Sequence, residues 1–333
     1  MLNRKPKIYF GPMSKNIVDV LLELSHDFPI GFIPSRRQVE YDGGYVNAWT
    51  SEEFHAYVKN SNPNVLVCRD HGGRLQGSME DDGVLSLSKD SEIGFDILHI
   101  DPWKKFTSLE EMIDETAAMI QKCLSINPKI NFEIGTEQAI HHYTPETLEA
   151  FLTGLRVKLG EMFNSIIYVV VQFGTAIVGT RNVGDFNLAR AKKMIRVVKQ
   201  FNLLSKEHNG DYLTYEQLSL RFNLGLDAIN IAPEFGVFET KCLIDSLSDN
   251  LEFKKLEKFY TLAKNSNKWQ KWIPNLQSDE NNRFQDYLIS RVCGHYIFNQ
   301  EEVVSWKRHS DLDIEIKNKL KDKLSYLLGR TYA

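Results

Sequence analysis

The stretch Asn64-Val-Leu-Val-Cys-Arg-Asp-His-Gly-Gly73 ends a short apolar run in an acid, an imidazole and two glycines. Val65 to Cys68 has the partly β-branched texture of a strand buried on both faces, and Asn62-Pro63-Asn64 before it is a turn signal. Read as a strand over Val65–Cys68, the run delivers Asp70 and His71 just past its carboxyl end. In a parallel α/β barrel active sites are built at that end, because side chains from several strands converge on one mouth. Gly72 and Gly73 let backbone approach a ligand closely.

Outward from this strand, short apolar runs alternate with longer amphipathic segments, the pattern of βα units on a parallel sheet. The other strands are expected at Lys7–Phe10, Ile30–Ile33, Asp96–Ile100, Ile130–Ile134, Ile166–Val171, Asn202–Ser205 and Asp227–Ile231. Helices are expected over Ser14–Leu24, Ser51–Lys59 behind the cap-like Thr50-Ser-Glu-Glu, and Ser108–Cys123. Others begin near Thr144-Pro145-Glu146, Thr214 and Val237. Eight such units in about 245 residues match a closed (β/α)8 TIM barrel, and no GxGxxG follows the first strand to favour an open sheet. Residues 1–248 are therefore assigned to the barrel and 249–333 to a helical C-terminal extension, where the alternation stops. There Trp269, Trp272 and Trp306, with Phe284, Tyr287 and Tyr296, are read as packing residues, and His295 as core or surface.

The chain has 333 residues, 42% hydrophobic and 25% charged, enough to bury a large core. Its net charge of −4 argues against a general nucleic-acid binder. Cys68, Cys123, Cys242 and Cys293 are widely spaced, so they are expected as reduced core residues. Ile8-Tyr-Phe10 is too short for a signal peptide and Ile166–Val171 too short for a membrane span, so a cytoplasmic protein is expected.

Polar residues stand at nearly every expected strand end, which a packed core would not tolerate without partners. They include His99 and Asp101, Glu133 and Glu137, Gln172, Glu207 and His208, Asn209 and Asp211, and Asn230 and Glu234. Imidazole, carboxylate and amide groups without thiolates suit Zn²⁺ or Mn²⁺.

Six of these segments, in the same order, resemble the family of accessory, non-catalytic subunits of class II tagatose-bisphosphate aldolase, some members of which are regarded as ketose-phosphate 4-epimerases. They are Ser35-Arg-Arg-Gln-Val-Glu-Tyr-Asp-Gly-Gly-Tyr45, Asp70-His71-Gly72, Leu98-His-Ile-Asp101, Ile134-Gly-Thr-Glu137, Val169-Val-Val-Gln172 and Glu207-His-Asn-Gly-Asp-Tyr212. The likeness spans Ile30 to Phe238. Departures fall in the loop His71-Gly-Gly-Arg-Leu-Gln-Gly77, at Pro102-Trp-Lys-Lys105, and at Asn230-Ile-Ala-Pro-Glu-Phe-Gly236, which adds Glu234 to the rim.

The resemblance implies a metal-dependent enzyme acting on a ketose or ketose phosphate by aldol or retro-aldol chemistry, as an aldolase or a C4 epimerase. The alternative is an accessory subunit of a class II aldolase without turnover of its own. Related aldolases use three histidines on the metal; here His71 and His208 are the expected ligands, completed by Glu137 or Asp101, because the strand-six position is Gln172. Asp70 is the first choice for acid/base work and Glu234 the second, with Asp101 a further catalytic candidate. Gln38, Arg74, Glu137, Gln172, Asn209, Asp211 and Asn230 are expected to contact substrate. Arg36, Arg37, Arg74, Lys104, Lys105 and Arg181 are candidates for an anionic substrate group. The expected partners are a sugar or sugar phosphate and further copies of the chain, and, in the accessory reading, a class II aldolase subunit.

Overall fold

The computed structural model describes residues 5–78, 80–104, 108–136, 144–274, 276, 282–308 and 311–332. Eight strands close into a barrel: β1 (Ile8–Phe10), β2 (Gly31–Phe32), β3 (Leu66–Gly72), β4 (Ile97–Ile100), β5 (Asn131–Ile134), β6 (Ile166–Val170), β7 (Leu204–Glu207) and β8 (Ala228–Ile231). Each pairs in parallel with its sequence neighbours, and β8 closes on β1 through Ile8↔Ile229 and Phe10↔Ile231. A TIM barrel results, with a two-residue antiparallel hairpin, Ile177–Val178 against Arg181–Asn182, inserted after β6.

The helices around it are α1 (Lys15–Leu24), α2 (Ser51–Ser61), α3 (Val84–Ile93), α4 (Leu109–Ile126), α5 (Pro145–Leu159), α6 (Leu188–Gln200), α7 (Tyr215–Asn223) and α8 (Pro233–Asp249). Local chemistry sets their starts. Thr50, Ser108 and Thr214 each close a capping box, and α5 opens on Thr144 followed by Pro145. Helix α8 begins at Pro233, a turn earlier than its apolar periodicity predicts, which puts Glu234 in its first turn. The tail adds α9 (Phe253–Asn265), α10 (Arg283–Cys293), α11 (Glu301–Arg308) and α12 (Leu312–Tyr332). In α12, Ile316, Leu320, Leu324 and Leu328 recur every fourth residue and are buried where the helix packs on α1. At its end the Tyr332 hydroxyl accepts from the Lys7 backbone N–H and donates to the Pro29 carbonyl, tying the tail to the entry of β1. Trp269 is buried and Trp272 and Trp306 partly buried, whereas Phe284 is 68% exposed. All four cysteines are buried thiols.

The sheet divides the apolar core in two. The larger part lies between strands and helices; the smaller, Tyr9, Ile33, Leu66, Cys68, Ile97, Tyr168 and Ala228, fills the barrel. Tyr9 on β1 and Tyr168 on β6 are not on adjacent strands, yet their rings meet edge-on at 5.8 Å, which is possible only across the interior. Among them sits an ion pair. Lys206 of β7 is fully buried, its Nζ 2.6 Å from Glu133 Oε2 of β5 and 3.8 Å from the centre of the Tyr9 ring. Burial alone would raise the Glu133 carboxyl, but Lys206, His99 and His208 hold it well below the usual carboxylate range. Removing one member of such a pair leaves the other buried and uncompensated. Lys206→Met is expected to cost about 3–5 kcal/mol of stability, measured by urea unfolding, while Lys206→Met combined with Glu133→Gln recovers part of the loss.

Candidate active site

The carboxyl end of β3 reaches further than its apolar residues predict. Its ladder with β4 shifts register between Arg69 and Gly72, so the strand runs on through Asp70 and His71 instead of ending before them. His71 takes a left-handed backbone, φ 50°, a conformation held by its bonds to β4. Its backbone N–H donates to His99 Nδ1 at 3.2 Å, and its Nδ1 lies 2.9 Å from Asp101 Oδ2. Residues 97, 99 and 101 share one face by strand alternation, so β4 brings both partners to the same place. Asp101 is wholly buried; its Oδ2 also accepts from Gln76 Nε2 at 2.9 Å, and its Oδ1 has no partner.

His208, just beyond β7, faces the same point from the far wall. Its Nε2 is 2.6 Å from Glu133 Oε1, the carboxylate that Lys206 holds from below. The remaining nitrogens of the two imidazoles bracket Asp70. His71 Nε2 is 3.6 Å from Asp70 Oδ2, and His208 Nδ1 is 3.8 Å from Asp70 Oδ1. His99 completes a triangle of rings whose centroids are 5.0, 5.2 and 5.4 Å apart. Burial pushes the His99 pKa down, and both its nitrogens meet backbone: Nδ1 accepts from His71, and Nε2 lies 2.9 Å from the Gly135 carbonyl. Sequence reading placed His99 at this strand end but gave it no role; its alternation with Ile97 and Asp101 was the available signal.

Asp70, His71, His99 and His208 offer donor atoms within 4.8 Å of one another. Two imidazoles converging on one point form a donor set that suits a zinc ion. Each outer imidazole also has its second nitrogen on a buried carboxylate, Asp101 or Glu133, the arrangement that orients metal-binding histidines. Because His99 is committed to backbone at both nitrogens, the fit rests on His71 and His208 with Asp70 between them. Asp101 stands behind His71 as its orienting partner. Glu137 lies outside the described residues.

The other expected residues divide by position. Asn230 belongs to the centre: its Nδ2 is 3.5 Å from Asp70 Oδ1 and its buried Oδ1 has no partner. Gln172 is at the rim of β6, its Nε2 donating to the Thr136 carbonyl and its Oε1 accepting from Arg190. Gln38 braces the loop after β2, bonded to Ser35 N–H and Met13 Sδ. Asn209 is a loop residue with φ 56° whose carbonyl accepts from Asn182. Asp211 and Glu234 are engaged away from the cluster, at the start of α8. Asp211 Oδ1 accepts from the N–H groups of Ala232 and Glu234 at the start of α8, while Glu234 bonds Tyr212 N–H and pairs with Lys323 of α12. Of the basic candidates, Arg36 is buried in pairs with Glu40 and Asp81, Arg37 reaches the Gly77 carbonyl, and Lys104 the Leu75 carbonyl. Arg74 has a buried Nε without a partner, Arg181 is exposed on the hairpin, and Lys105 is outside the described residues.

Burial drives the Asp211 carboxyl up to about 8, with the Glu234 charge adding to it against the α8 N–H bonds. An acid whose pKa is higher folded than unfolded stabilises fully below its unfolded value, near 4, and loses that contribution as pH rises towards 8. Asp211→Asn keeps an acceptor for both N–H groups and removes the titration. Between pH 5 and pH 8 its stability by urea unfolding is expected to gain on the unmodified chain by on the order of 3 kcal/mol.

No protein-family model matches this chain, and no curated protein sequence does. Solved structures do. A probable tagatose 6 phosphate kinase from Sinorhizobium meliloti 1021 superposes with a TM-score of 0.74 at 17% identity, over 99% of this chain and 91% of that one. A fructose-bisphosphate aldolase from Campylobacter jejuni gives 0.59 at 14% identity, over 98% and 90%. A glycerol complex of fructuronate-tagaturonate epimerase from Cohnella laeviribosi gives 0.62 at 11% identity, over 98% and 81%. The likeness is one of fold. This chain shares the TIM barrel of these proteins along nearly its whole length, C-terminal helices included. Among the described residues no helix is long and apolar enough to cross a membrane.

Proposed function

We propose that the chain is a divalent-metal-dependent carbohydrate enzyme acting on a ketose or ketose phosphate by aldol and retro-aldol chemistry. The observation that carries this reading is the Asp70 carboxylate set between His71 Nε2 and His208 Nδ1, each imidazole backed by a buried acid. The names of the fold neighbours, aldolase and sugar epimerase, support the same class. His71 and His208 would hold the ion, which when bound polarises a ketose carbonyl as a Lewis acid. Asp101 and Glu133 keep the two rings turned towards it. Asp70 then takes the proton from the hydroxyl on the carbon beyond the bond that breaks; the C–C bonding pair passes to the carbonyl-bearing fragment, and the aldehyde carbon is released. In the reverse direction Asp70 returns that proton to the new hydroxyl. If the aldehyde departs, the proton held by Asp70 passes to the carbanion carbon of the fragment left behind and the outcome is that of an aldolase; re-addition through the aldehyde's other face, with the proton returned to the new hydroxyl, gives a C4 epimer. The buried, unpartnered Asp101 Oδ1 and Asn230 Oδ1 are acceptors that a polyol's hydroxyls can satisfy.

The test is incubation of the isolated chain with divalent metal and a panel of ketohexoses, their 1- and 6-phosphates and their 1,6-bisphosphates. Triose products select an aldolase, and a C4 epimer without free triose selects an epimerase. No conversion of any substrate, together with a gain in stability or rate of an added class II aldolase, replaces this reading with that of an accessory subunit.

A further inference from the structure

A cavity of about 410 Å³ opens between the first turn of α1, the loop after β2 and the tail. Ser14, Lys15, Asn16, His295, Lys307 and Lys317 are on its wall, and none of Asp70, His71, His99 or His208 is. His295 is 1% exposed, and neither of its ring nitrogens has a hydrogen-bond partner. Its ring lies tilted against Tyr296, centroids 4.2 Å apart, and approaches Tyr45 at 6.2 Å. Gly236 backs it: a Cβ there would stand 2.9 Å from His295 Cγ. Burial, reinforced by Lys271, pushes the imidazole down to about 3, so at neutral pH it carries one N–H donor and one lone pair. A buried polar group with no partner calls for a ligand or a water.

The rest of the wall indicates which ligand. Helix α1 has ten residues, and its cap Ser14 accepts only from the Ile17 N–H, leaving the first N–H groups directed out of the helix end. Three lysines line the cavity beside that end. Lys307 is held by Glu239, a fully buried carboxylate that also receives Ser14 and Asn16. Lys15 pairs with Asp19, and Lys317 with Asp19 and Asp313. Asp313 is the one carboxylate on the wall itself among the described residues, whereas Asp19 and Glu239 lie behind it and fix the lysines in place. Helix N–H groups, an imidazole N–H and several ammonium groups match the oxygens of a phosphate. Tyr45, Val46 and Phe298 supply an apolar wall for a carbon skeleton, and the volume is that of a small-molecule site.

We infer that this cavity binds a small phosphorylated metabolite, its phosphate set between the α1 N-terminus, His295 and Lys307, at a site whose wall holds none of the clustered Asp70, His71, His99 and His208. The test is calorimetric titration of the full chain with inorganic phosphate and with glycerol 3-phosphate, alongside NMR of the histidine side chains. Saturable binding that shifts the His295 ring signals is expected, weakened about tenfold in His295→Phe and unchanged in His208→Ala. The absence of saturable binding at millimolar phosphate overturns the inference. So does binding that His208→Ala abolishes and His295→Phe leaves intact, a result that places phosphate at the barrel mouth and leaves the proposed reaction standing. If His295→Phe does not fold, Lys307→Gln, which keeps a donor for Glu239, serves instead: weakened binding supports the site, and undiminished affinity overturns it.

Discussion

Asp70→Asn is expected to keep the fold and the metal content of the chain while lowering turnover by about 10²–10⁴-fold, the range lost when a positioned proton-transfer group is removed. Asparagine has nearly the same shape and can still sit between the imidazoles of His71 and His208, but it cannot accept a hydroxyl proton. The effect should fall on kcat more than on KM, because the substrate contacts offered by Asn230 and Asp101 are untouched. Steady-state rates at saturating substrate, paired with metal analysis of the same preparation, separate loss of chemistry from loss of metal. Near-normal turnover would move the proton to Asp101, whose Oδ1 is buried beside the same centre without a partner. A return to Glu234 would need a rearrangement, since its two oxygens are engaged by Lys323 and the Tyr212 N–H.

The barrel was legible because its strands are short buried runs whose neighbours in sequence are neighbours in space. Where a strand broke that pattern, reading by hydrophobicity misplaced it. Asn202–Ser205 holds the leucines Leu203 and Leu204, yet the ladder uses Leu204–Glu207. Lys206 and Glu207 enter a buried strand only because Glu133, on β5, and Arg221, on α7, neutralise them. Such partners are visible in three dimensions and not along the chain. Burial drives Glu207 up to about 7 even with Arg221 opposing it, which shows how far from water this end of β7 lies. The same limit applied to Arg36, which reads as a loop cation available to substrate and is instead buried between Glu40 and Asp81. Asp70 and His71 could be found from their place after an apolar run. What could not be found was the pairing that turns four acids and two imidazoles into distinct parts: Asp101 behind His71, Glu133 behind His208, Asp70 between the rings, and Asp211 turned away to α8.

That pairing yields the second large effect. The purified chain is expected to retain a divalent ion, and His71→Ala or His208→Ala to lose it while remaining folded, measured by elemental analysis and calorimetric metal titration rather than by activity. Two ligands on opposite walls of one mouth leave the ion a single imidazole when either is removed. The backing acids grade the result. Asp101→Asn and Glu133→Gln leave both ligands in place but loosen their orientation and weaken their basicity, so metal affinity should fall about 10–100-fold. Glu133→Gln carries a further cost that Asp101→Asn does not, because it strands the Lys206 ammonium inside the barrel. Its affinity loss should therefore come with reduced stability to urea, whereas Asp101→Asn, with Gln76 and His71 as its bonded partners, should show the affinity loss nearly alone. Full metal occupancy in both histidine variants would remove His71 and His208 from the ligand set. The cluster would then be a hydrogen-bonded relay centred on Asp70, and the proposed chemistry would have to find its electrophile elsewhere.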